Sequence, residues 1–309
     1  ASHNTAVGNL ALLSNTTGTQ NVAVGSLALD ANTTASNNVA IGVSSLSTNT
    51  TGASNSAVGT FALSVNLTGS NNTALGREAL EKNSTASNNT AVGYQALEEN
   101  TTGTSNVAVG ANALDANTTG NNQTAMGYRC LTNHTTGDNA TGYGFDAGFS
   151  NTTGVITAIG SSALYSNQTG NNCTAVGVSA LYNNTVSNNT AVGHSCMNSH
   201  TTGVQNTAMG GFALDASTTA AYSAAFGYHA LGSTTTSSYN AGFGSYALYL
   251  NTTGGSNTAV GSNALYANTT ASSNVAVGAG CLQANTTGAE NTAVGANALL
   301  TNTTGRQNI

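Results

Sequence analysis

The chain has few charged residues, no proline and no tryptophan. Of its 309 residues only 5% are charged, and lysine and arginine together number 4, whereas an average protein is about 25% charged. Nucleic-acid binding needs clustered basic side chains to meet the phosphates, so this composition excludes a nucleic-acid partner. With a net charge of −6, the chain must owe its solubility mainly to Asn, Thr and Ser.

Long apolar runs and catalytic signatures are also missing. No apolar run approaches the roughly eighteen residues that a membrane span requires, and no signal peptide is visible. Neither a G-x-S-x-G elbow, a P-loop nor the calcium-binding nonapeptide of other β-rolls occurs. We therefore expect no membrane insertion, no enzymatic activity, no cofactor and no metal site.

What the sequence does contain is one motif written many times. The stretch NTAVGNLALLSNTTGTQ at residues 4–20 is followed directly by NVAVGSLALDANTTASN at residues 21–37. The unit reads N-T-A-V-G-x-x-A-L-x-x-N-T-T-G-x-x and occurs eighteen times, always at 17-residue intervals except for two of sixteen, Gly144 to Gly160 and Gly177 to Gly193. No segment lies outside this register, which predicts a single repeat domain over residues 1–309.

The repeat length and chemistry predict an all-β fold, a parallel β-solenoid (β-roll or β-helix) with one coil per 17-residue repeat and 18 repeats. A helix-turn-helix unit needs about 34 residues, and a segment such as NLALLSN is too short for an independently stable helix. The TAVG segment is β-branched and NTTG has turn chemistry. Stacked coils would convert each repeat position into a row of equivalent residues.

We number repeat positions from the glycine of AVG, which is position 0. Position −1 is apolar in nearly every repeat and position +4 is almost always Leu, so both are expected to face inward. Because neighbouring strand residues point to opposite faces, the small residues at −2 and +3 would face outward. An outward row of alanines suggests close packing against another chain, and so an oligomer. Asn at +7 is expected at a corner, because it tolerates left-handed backbone, and stacked Asn side chains can also bond along the row. Gly at 0 is expected at another corner.

The cysteines and histidines are interpreted as structural. Cys130, Cys196 and Cys281 share position +3 but lie four and five coils apart, too far for a disulfide at about 4.8 Å per coil. Cys173 occupies another position, −4. The five histidines do not converge as metal ligands would. The many Asn-Thr-Thr triplets are formal glycosylation sequons, but they follow from the repeat itself.

Aromatic residues concentrate in the least regular part of the chain. Gly142 and Gly242 each precede an aromatic residue at −1, as if a small neighbour made room for a ring. Tyr165 with Tyr182, and Tyr249 with Tyr266, should stack on successive coils. Exposed rings can bind sugars through their apolar faces. The candidate glycan-binding residues are Tyr222, Tyr228, Tyr239 and Tyr246, with local repacking as the alternative interpretation.

Three strings carry a resemblance to known proteins. NNVAIG at 37–42, NVAVG at 106–110 and NTAVGANAL at 291–299 resemble the head repeats of trimeric autotransporter adhesins. Similar repeats occur in phage and large-virus fibre proteins. The resemblance implies left-handed parallel β-rolls with three chains around a common axis, so that the outer alanine rows would meet neighbouring chains. The 17-residue unit is longer than the adhesin repeat.

These observations together predict a non-enzymatic structural or adhesive fibre shaft that projects from a cell or virion surface. Its partners would be copies of itself in a homotrimer, together with a host-surface glycan or receptor. One alternative is a self-assembling extracellular filament subunit that stacks end to end through open coil edges. A weaker alternative is an ice- or glycan-binding solenoid, although adjacent Thr residues in NTTG would point in opposite directions.

Overall fold

Each repeat forms one short strand, and the strand ends immediately before the glycine at position 0. The structure, a computed structural model, describes residues 1–309 and contains no helix. The first nine strands are β1 (Thr5–Val7), β2 (Val22–Val24), β3 (Val39–Ile41), β4 (Ser56–Val58), β5 (Thr73–Leu75), β6 (Thr90–Val92), β7 (Val107–Val109), β8 (Thr124–Met126) and β9 (Thr141–Tyr143). The others are β10 (Ile156–Ile159), β11 (Cys173–Val176), β12 (Thr190–Val192), β13 (Thr207–Met209), β14 (Ala224–Phe226), β15 (Ala241–Phe243), β16 (Thr258–Val260), β17 (Val275–Val277) and β18 (Thr292–Val294).

The strands stack in parallel, each on the strand of the next repeat. The chain divides into two compact units, residues 1–155 with β1 to β9 and residues 156–309 with β10 to β18. Within each unit the pairing keeps repeat positions aligned, as where Ala91 pairs with Ala108 and Val92 with Val109. The predicted all-β parallel β-solenoid with one coil per repeat is therefore confirmed.

The assignment of inward and outward rows differs from the sequence prediction. Ala108 at −2, Ala113 at +3 and Leu114 at +4 are all fully buried, and their equivalents form the core of each unit. The residue at −1, expected inside, instead points outward, as Ile41 and Leu75 show with 40% and 48% exposure. The alanine rows are thus interior, and they cannot be the surface that meets other chains.

Left-handed backbone at two positions explains the error. Asn112 at +2 has φ 56° and Leu114 at +4 has φ 51°, and the same two positions are left-handed in nearly every repeat. These turns break strand alternation, so the neighbours at +3 and +4 both face the core. A left-handed Leu costs roughly 1–2 kcal/mol. Complete burial of the side chain and a 3.1 Å bond from Leu114 N to Cys130 O offset that cost.

Glycine at position 0 is required for two separate reasons. Gly210 has φ 138°, a conformation that side chains with a Cβ rarely adopt. A Cβ there would also collide with the carbonyl oxygen of Gly227 in the next coil. Close approach of successive backbones therefore depends on this row, as predicted for one of the corners.

Two rows of buried asparagines lie inside the stack at +7 and −4. Asn66 at +7 donates from Nδ2 to Asn49 Oδ1 in the preceding coil at 2.8 Å and to Gly69 O in its own coil at 2.9 Å. Asn72 at −4 donates to Ala86 O at 2.9 Å, and its backbone N–H donates to Asn55 Oδ1 at 2.9 Å. The predicted bonding along the row at +7 is confirmed. The predicted left-handed corner there is wrong, because the left-handed residues are those at −5, +2 and +4.

Candidate interaction surface

The outward face of the strands presents an apolar residue at position −1 in every coil. We call it the outer face and define it by positions −3 and −1, which flank the buried residue at −2. In the first unit it consists of Thr5, Val7, Val22, Val24, Val39, Ile41, Ser56, Val58, Thr73, Leu75, Thr90, Val92, Val107, Val109, Thr124, Met126, Thr141 and Tyr143. In the second unit it consists of Thr157, Ile159, Thr174, Val176, Thr190, Val192, Thr207, Met209, Ala224, Phe226, Ala241, Phe243, Thr258, Val260, Val275, Val277, Thr292 and Val294.

The outer face carries no charge and no amide side chain. Every residue at −1 is aliphatic, Met or aromatic, and residues at −3 are Thr, Val, Ser or Ala. Side chains at −1 remain accessible in the middle of each unit, as Leu75 and Met209 show with 48% and 47% exposure. Contiguous apolar patches of this kind on soluble proteins mark interaction sites.

Two neighbouring coils of the outer face differ from the others in a correlated way. Phe226 and Phe243 are the only phenylalanines at −1, and their rings stack at 5.0 Å with an interplanar angle of 7°. Ala224 and Ala241, two residues earlier on the same strands, are the only alanines at −3. Tyr143, the other aromatic residue at −1, has the usual Thr at −3, so this combination is confined to these two coils.

The glycines at −2, Gly142 and Gly242, do not make room for the aromatic residues that follow them, contrary to the sequence prediction. Gly142 faces the core, where a methyl group would collide with Cys130 Sγ and lie 3.0 Å from Leu131 Cγ. Gly242 also faces the core, but a methyl group there would make only ordinary contact, 3.4 Å from Leu231 Cγ. Gly142 compensates for Cys130, which replaces the usual Ala at +3, while the aromatic residue at −1 points away from both.

A second surface carries most of the charged and aromatic residues, which differ from repeat to repeat. We call it the variable edge and define it by positions +1, +2, +5 and +6. It carries 11 of the 14 charged residues and 12 of the 17 phenylalanine and tyrosine residues. Since the inner rows are nearly uniform, this edge is where one coil differs most from the next.

In the first unit the variable edge holds ion pairs with aromatic neighbours. Arg129 donates from Nε and Nη2 to the two carboxylate oxygens of Asp146 at 2.8 and 2.6 Å. The guanidinium also lies 4.8 Å from the ring centre of Phe149, within cation–π distance. A further ion pair joins Lys82 to Glu99. Burial raises the pKa of Glu81 and Glu98, and neighbouring carboxylates add to the rise.

In the second unit the variable edge is aromatic. The predicted stack of Tyr165 on Tyr182 is confirmed, with centroids 4.9 Å apart and an angle of 2°. Tyr249 and Tyr266 are also neighbours, tilted by 32° at 5.5 Å. A connected series of rings packs on successive coils in both stacked and edge-on arrangements: His194, Phe212, Tyr228, His229, Tyr246, Tyr249 and Tyr266.

The four tyrosines predicted to bind glycans divide into two separate pairs. Tyr222 and Tyr239, at position −5, stack at 5.1 Å with an angle of 2° and are 48% and 63% exposed. Tyr228 and Tyr246 lie on the variable edge, 5.5 Å apart and edge-on at 84°. Stacking turns one face of each −5 ring towards its partner, so the four rings do not form a single flat platform. Glycan binding stays a prediction.

Two histidines replace asparagines in the buried row at +7. His200 Nε2 lies 2.7 Å from Gly203 O, and its Nδ1 lies 3.2 Å from Ser217 Oγ. His134 Nε2 lies 3.1 Å from Gly137 O, and its Nδ1 lies 2.6 Å from the Asn151 amide. Burial lowers the pKa of both imidazoles. Neutral histidines that donate from Nε2 and accept at Nδ1 reproduce the bonding of the asparagines they replace.

The direction of hydrogen-bond donation along the +7 row also indicates which way the Asn151 amide points. From Asn32 to Asn117 each Nδ2 of the row donates to the preceding coil, as from Asn66 to Asn49. Amide oxygen and nitrogen positions are assigned from the bonding network. With its oxygen towards His134, Asn151 has a buried Nδ2 without a partner. We therefore assign its nitrogen to the His134 side, where it donates to Nδ1.

The four cysteines are reduced and buried. Burial raises the pKa of Cys130 and of Cys196 to about 12. These thiols occupy the inner alanine row at +3, as small core residues. The interpretation of the cysteines as buried replacements for alanine is confirmed for this row.

No ligand-binding concavity accompanies these surfaces. The structure has no pocket and no group of three or more His, Cys, Asp or Glu side chains placed to hold a metal ion. It also has no helical segment of the length and hydrophobicity that crossing a bilayer requires.

Comparison with known proteins identifies no relative. No protein-family profile matches the chain, and no curated protein matches it.

Proposed function

We propose that this chain is a non-enzymatic structural protein, a segment of a fibre that is displayed outside a cell or on a virion and associates with copies of itself. The observation that carries the proposal is the bonding between successive coils within each unit. Backbone pairing, the glycine row at 0 and two asparagine rows all join one coil to the next. Such a stack transmits load through hydrogen bonds rather than through a single globular core.

Composition supports the same proposal. Most charged and aromatic residues lie on one edge, while the residues that hold the coils together repeat. A repeated scaffold with a variable edge can present different side chains at regular spacing, as repeat proteins do on their binding surfaces. The resemblance to adhesin heads and viral fibres points in the same direction, with a homotrimer as the form of self-association and a host-surface glycan or receptor as a further partner.

Labelling of intact particles tests the location and the fibre form. Antibodies raised against the folded chain should decorate extended structures outside unbroken cells or virions, seen by immunogold electron microscopy. Labelling confined to the interior of broken cells would contradict the proposal. This experiment is independent of how copies contact one another.

One observation favours ice binding as a second candidate. The outward residues at −3 and −1 are spaced two apart and are mostly Thr and Val, so the outer face presents two parallel rows of methyl and hydroxyl groups. The adjacent Thr residues of NTTG, which point in opposite directions, are not part of these two rows. Thermal hysteresis of the purified chain during freezing would support this candidate, and freezing without hysteresis would remove it.

A further inference from the structure

We propose that the face of the Tyr239 ring turned away from Tyr222 is a binding subsite for a neutral sugar. We call this surface the free face of Tyr239. The site rests on the proposed glycan partner, and it specifies both the surface that binds the glycan and the class of sugar that fits. Among the four tyrosines predicted to bind glycans, the ligand contact is thereby assigned to one ring of the −5 pair.

Tyr222 and Tyr239 occupy a position that is unfavourable for an aromatic residue. Their backbones are left-handed, with φ 56° and 64°, and the other left-handed residues in this row are Asn, Ser, Gln, His and Glu. Left-handed backbone is sterically costly for a bulky side chain, and complete burial offsets that cost at Leu114. Neither tyrosine is buried, so only their mutual stacking offsets it. Strained residues of this kind cluster at sites that contact ligands.

The ring of Tyr239 has one uncovered face. Because the two rings are parallel within 2° at a centroid distance of 5.1 Å, their other faces point towards the preceding and the following coil. The next residue of the row is Gln205 on the Tyr222 side and Ser256, with a much shorter side chain, on the Tyr239 side. The exposed fractions agree with this difference, at 48% for Tyr222 and 63% for Tyr239.

The neighbour of Ser256 in the same coil leaves further space unfilled. Gly255 is the only glycine at position +11, and its backbone is not left-handed, so its conformation does not require glycine. A Cβ at this position would meet only Ser238 O, at 3.2 Å, with open space around the rest of it. The coil that follows Tyr239 therefore presents no side chain longer than serine at these two positions.

The surroundings of the ring select an uncharged ligand. A tyrosine ring offers a flat apolar face with a hydroxyl group at its tip, and a pyranose has a matching face of C–H groups with hydroxyl groups at its rim. The exposed neighbours in the row, Gln205 and Ser256, are uncharged and can form hydrogen bonds. No Lys or Arg lies between Arg129 and Arg306, so no such cation from these coils can pair with a carboxylate or sulfate group. A neutral sugar meets these conditions.

The tyrosines of the variable edge lack a ring face of this kind. Tyr246 packs against Tyr228, His229, Tyr249 and Tyr266, with ring centroids 5.4 to 6.3 Å away. Neighbouring rings therefore occupy the space that a sugar on Tyr246 would need. This ring series packs one coil against the next.

Removal of the ring is the first test. Methyl glycosides of glucose, galactose, mannose and N-acetylglucosamine are titrated with the purified chain by ligand-observed NMR, and at least one should bind. Tyr239→Ala should weaken that binding at least about tenfold, the effect of losing one aromatic stacking contact. Tyr239→Phe keeps the ring and should bind within about threefold of the unmodified chain. Tyr228→Ala removes an exposed ring of the variable edge and is the control that should bind normally.

The second test covers the free face. Ser256→Gln gives the Tyr239 side the residue that Gln205 provides on the Tyr222 side, and this left-handed position accepts Gln in other coils. Binding should weaken at least about tenfold. Ser273→Gln makes the same change at an exposed position one coil further on and should leave binding unchanged. Equal binding by the two variants would show that the free face is not the contact.

The outcomes separate this site from the function that it serves. If no neutral glycoside binds, the site is wrong, while immunogold labelling still decides the location and fibre form. If a glycoside binds and Tyr228→Ala rather than Tyr239→Ala abolishes binding, the glycan partner stands and the site is wrong. Tighter binding of N-acetylneuraminic acid than of every neutral glycoside would contradict the assigned class of sugar. Far-UV circular dichroism on each variant ensures that lost binding is compared between folded chains.

Discussion

Asn66 donates a hydrogen bond from Nδ2 to Oδ1 of Asn49, its counterpart one coil earlier, across 2.8 Å. Both side chains are completely buried. The same relationship recurs between other neighbouring coils, as from Asn100 to Asn83 at 2.9 Å. A polar core row of this kind is stable because each amide finds partners both along the stack and within its own coil.

Removing one member of the row should therefore be costly. Asn66→Ala would leave Asn49 Oδ1 without its buried donor, whereas Gly69 O would keep the donor from Asn55, and a buried unsatisfied group costs about 1–3 kcal/mol. We expect denaturant unfolding to show a loss of stability in that range. Thr85→Ala, at an exposed position, is the control and should stay within about 0.5 kcal/mol of the unmodified chain.

Two adjacent glycines should differ in how much stability the chain loses when each is replaced by alanine. Gly210→Ala places a Cβ on a residue with φ 138° and against the carbonyl of Gly227, so it should destabilise the chain by several kcal/mol, about the upper end for single substitutions. At Gly211 the nearest neighbour to an added Cβ is Tyr228 Cδ2, at an ordinary 3.5 Å. Gly211→Ala should leave the melting temperature nearly unchanged, and equal losses for both variants would contradict the close stacking of the coils.

Acid should weaken the coils that contain His134 and His200. Burial lowers the pKa of both side chains, so the unfolded chain binds protons more readily than the folded one. The stability contributed by the neutral forms is present above the unfolded pKa, about 6.5, and is lost as the pH falls below it. The measurement is the free energy of unfolding from pH 8 to pH 5, compared with a His134→Asn, His200→Asn variant.

The double variant carries the same acidic residues, so the difference between the two pH profiles reports the histidines. That difference should grow as the pH falls. Parallel profiles would show that the two imidazoles titrate alike in the folded and unfolded chains.

The native thiols should be inert. With the pKa of Cys130 and Cys196 at about 12 and no exposed sulfur, an aromatic disulfide reagent should not react at neutral pH until the chain unfolds. Prompt reaction of one or more thiols in the folded protein would place the +3 row at the surface.

Glycosylation should be absent from the +7 asparagines of folded protein. Asn100 lies in an Asn-Thr-Thr triplet, but its amide is buried and donates to Asn83 Oδ1 and Gly103 O. A sugar on that nitrogen would break both bonds and require space inside the coil. Mass spectrometry of folded material secreted from a glycosylating host should find these sites unmodified, whereas modified sites in fully folded chains would contradict the asparagine row.

The sequence predicts the fold well and the orientation of its rows poorly. Periodicity alone identifies one strand per coil, because equivalent residues such as Val92 and Val109 must stack if coils repeat. The size of Val109 and Leu114 suggests that both face inward, and strand alternation then places their small neighbours Ala108 and Ala113 outside. Left-handed conformations at Asn112 and Leu114 invert that relationship, and leucine has no intrinsic preference for them.

The outer face could have been recognised from one sequence signal. Ala224 and Ala241 accompany Phe226 and Phe243 at a spacing of two, the spacing of residues on one face of a strand. Gly142 and Gly242 adjoin aromatic residues, but they give no such signal because adjacent strand residues face opposite ways. Pairs on the variable edge, such as Arg129 with Asp146, lie 17 residues apart in the sequence. They can be predicted only when successive coils are aligned in register.

Cysteine labelling at two adjacent positions tests the central claim most directly. In a Leu75→Cys variant the thiol lies on the outer face and should react rapidly at low protein concentration. In an Ala74→Cys variant, with the thiol in the core, labelling should be slow at every concentration. Rapid labelling at 74 together with protection at 75 in dilute solution would show that the rows face the other way, and the account would be wrong.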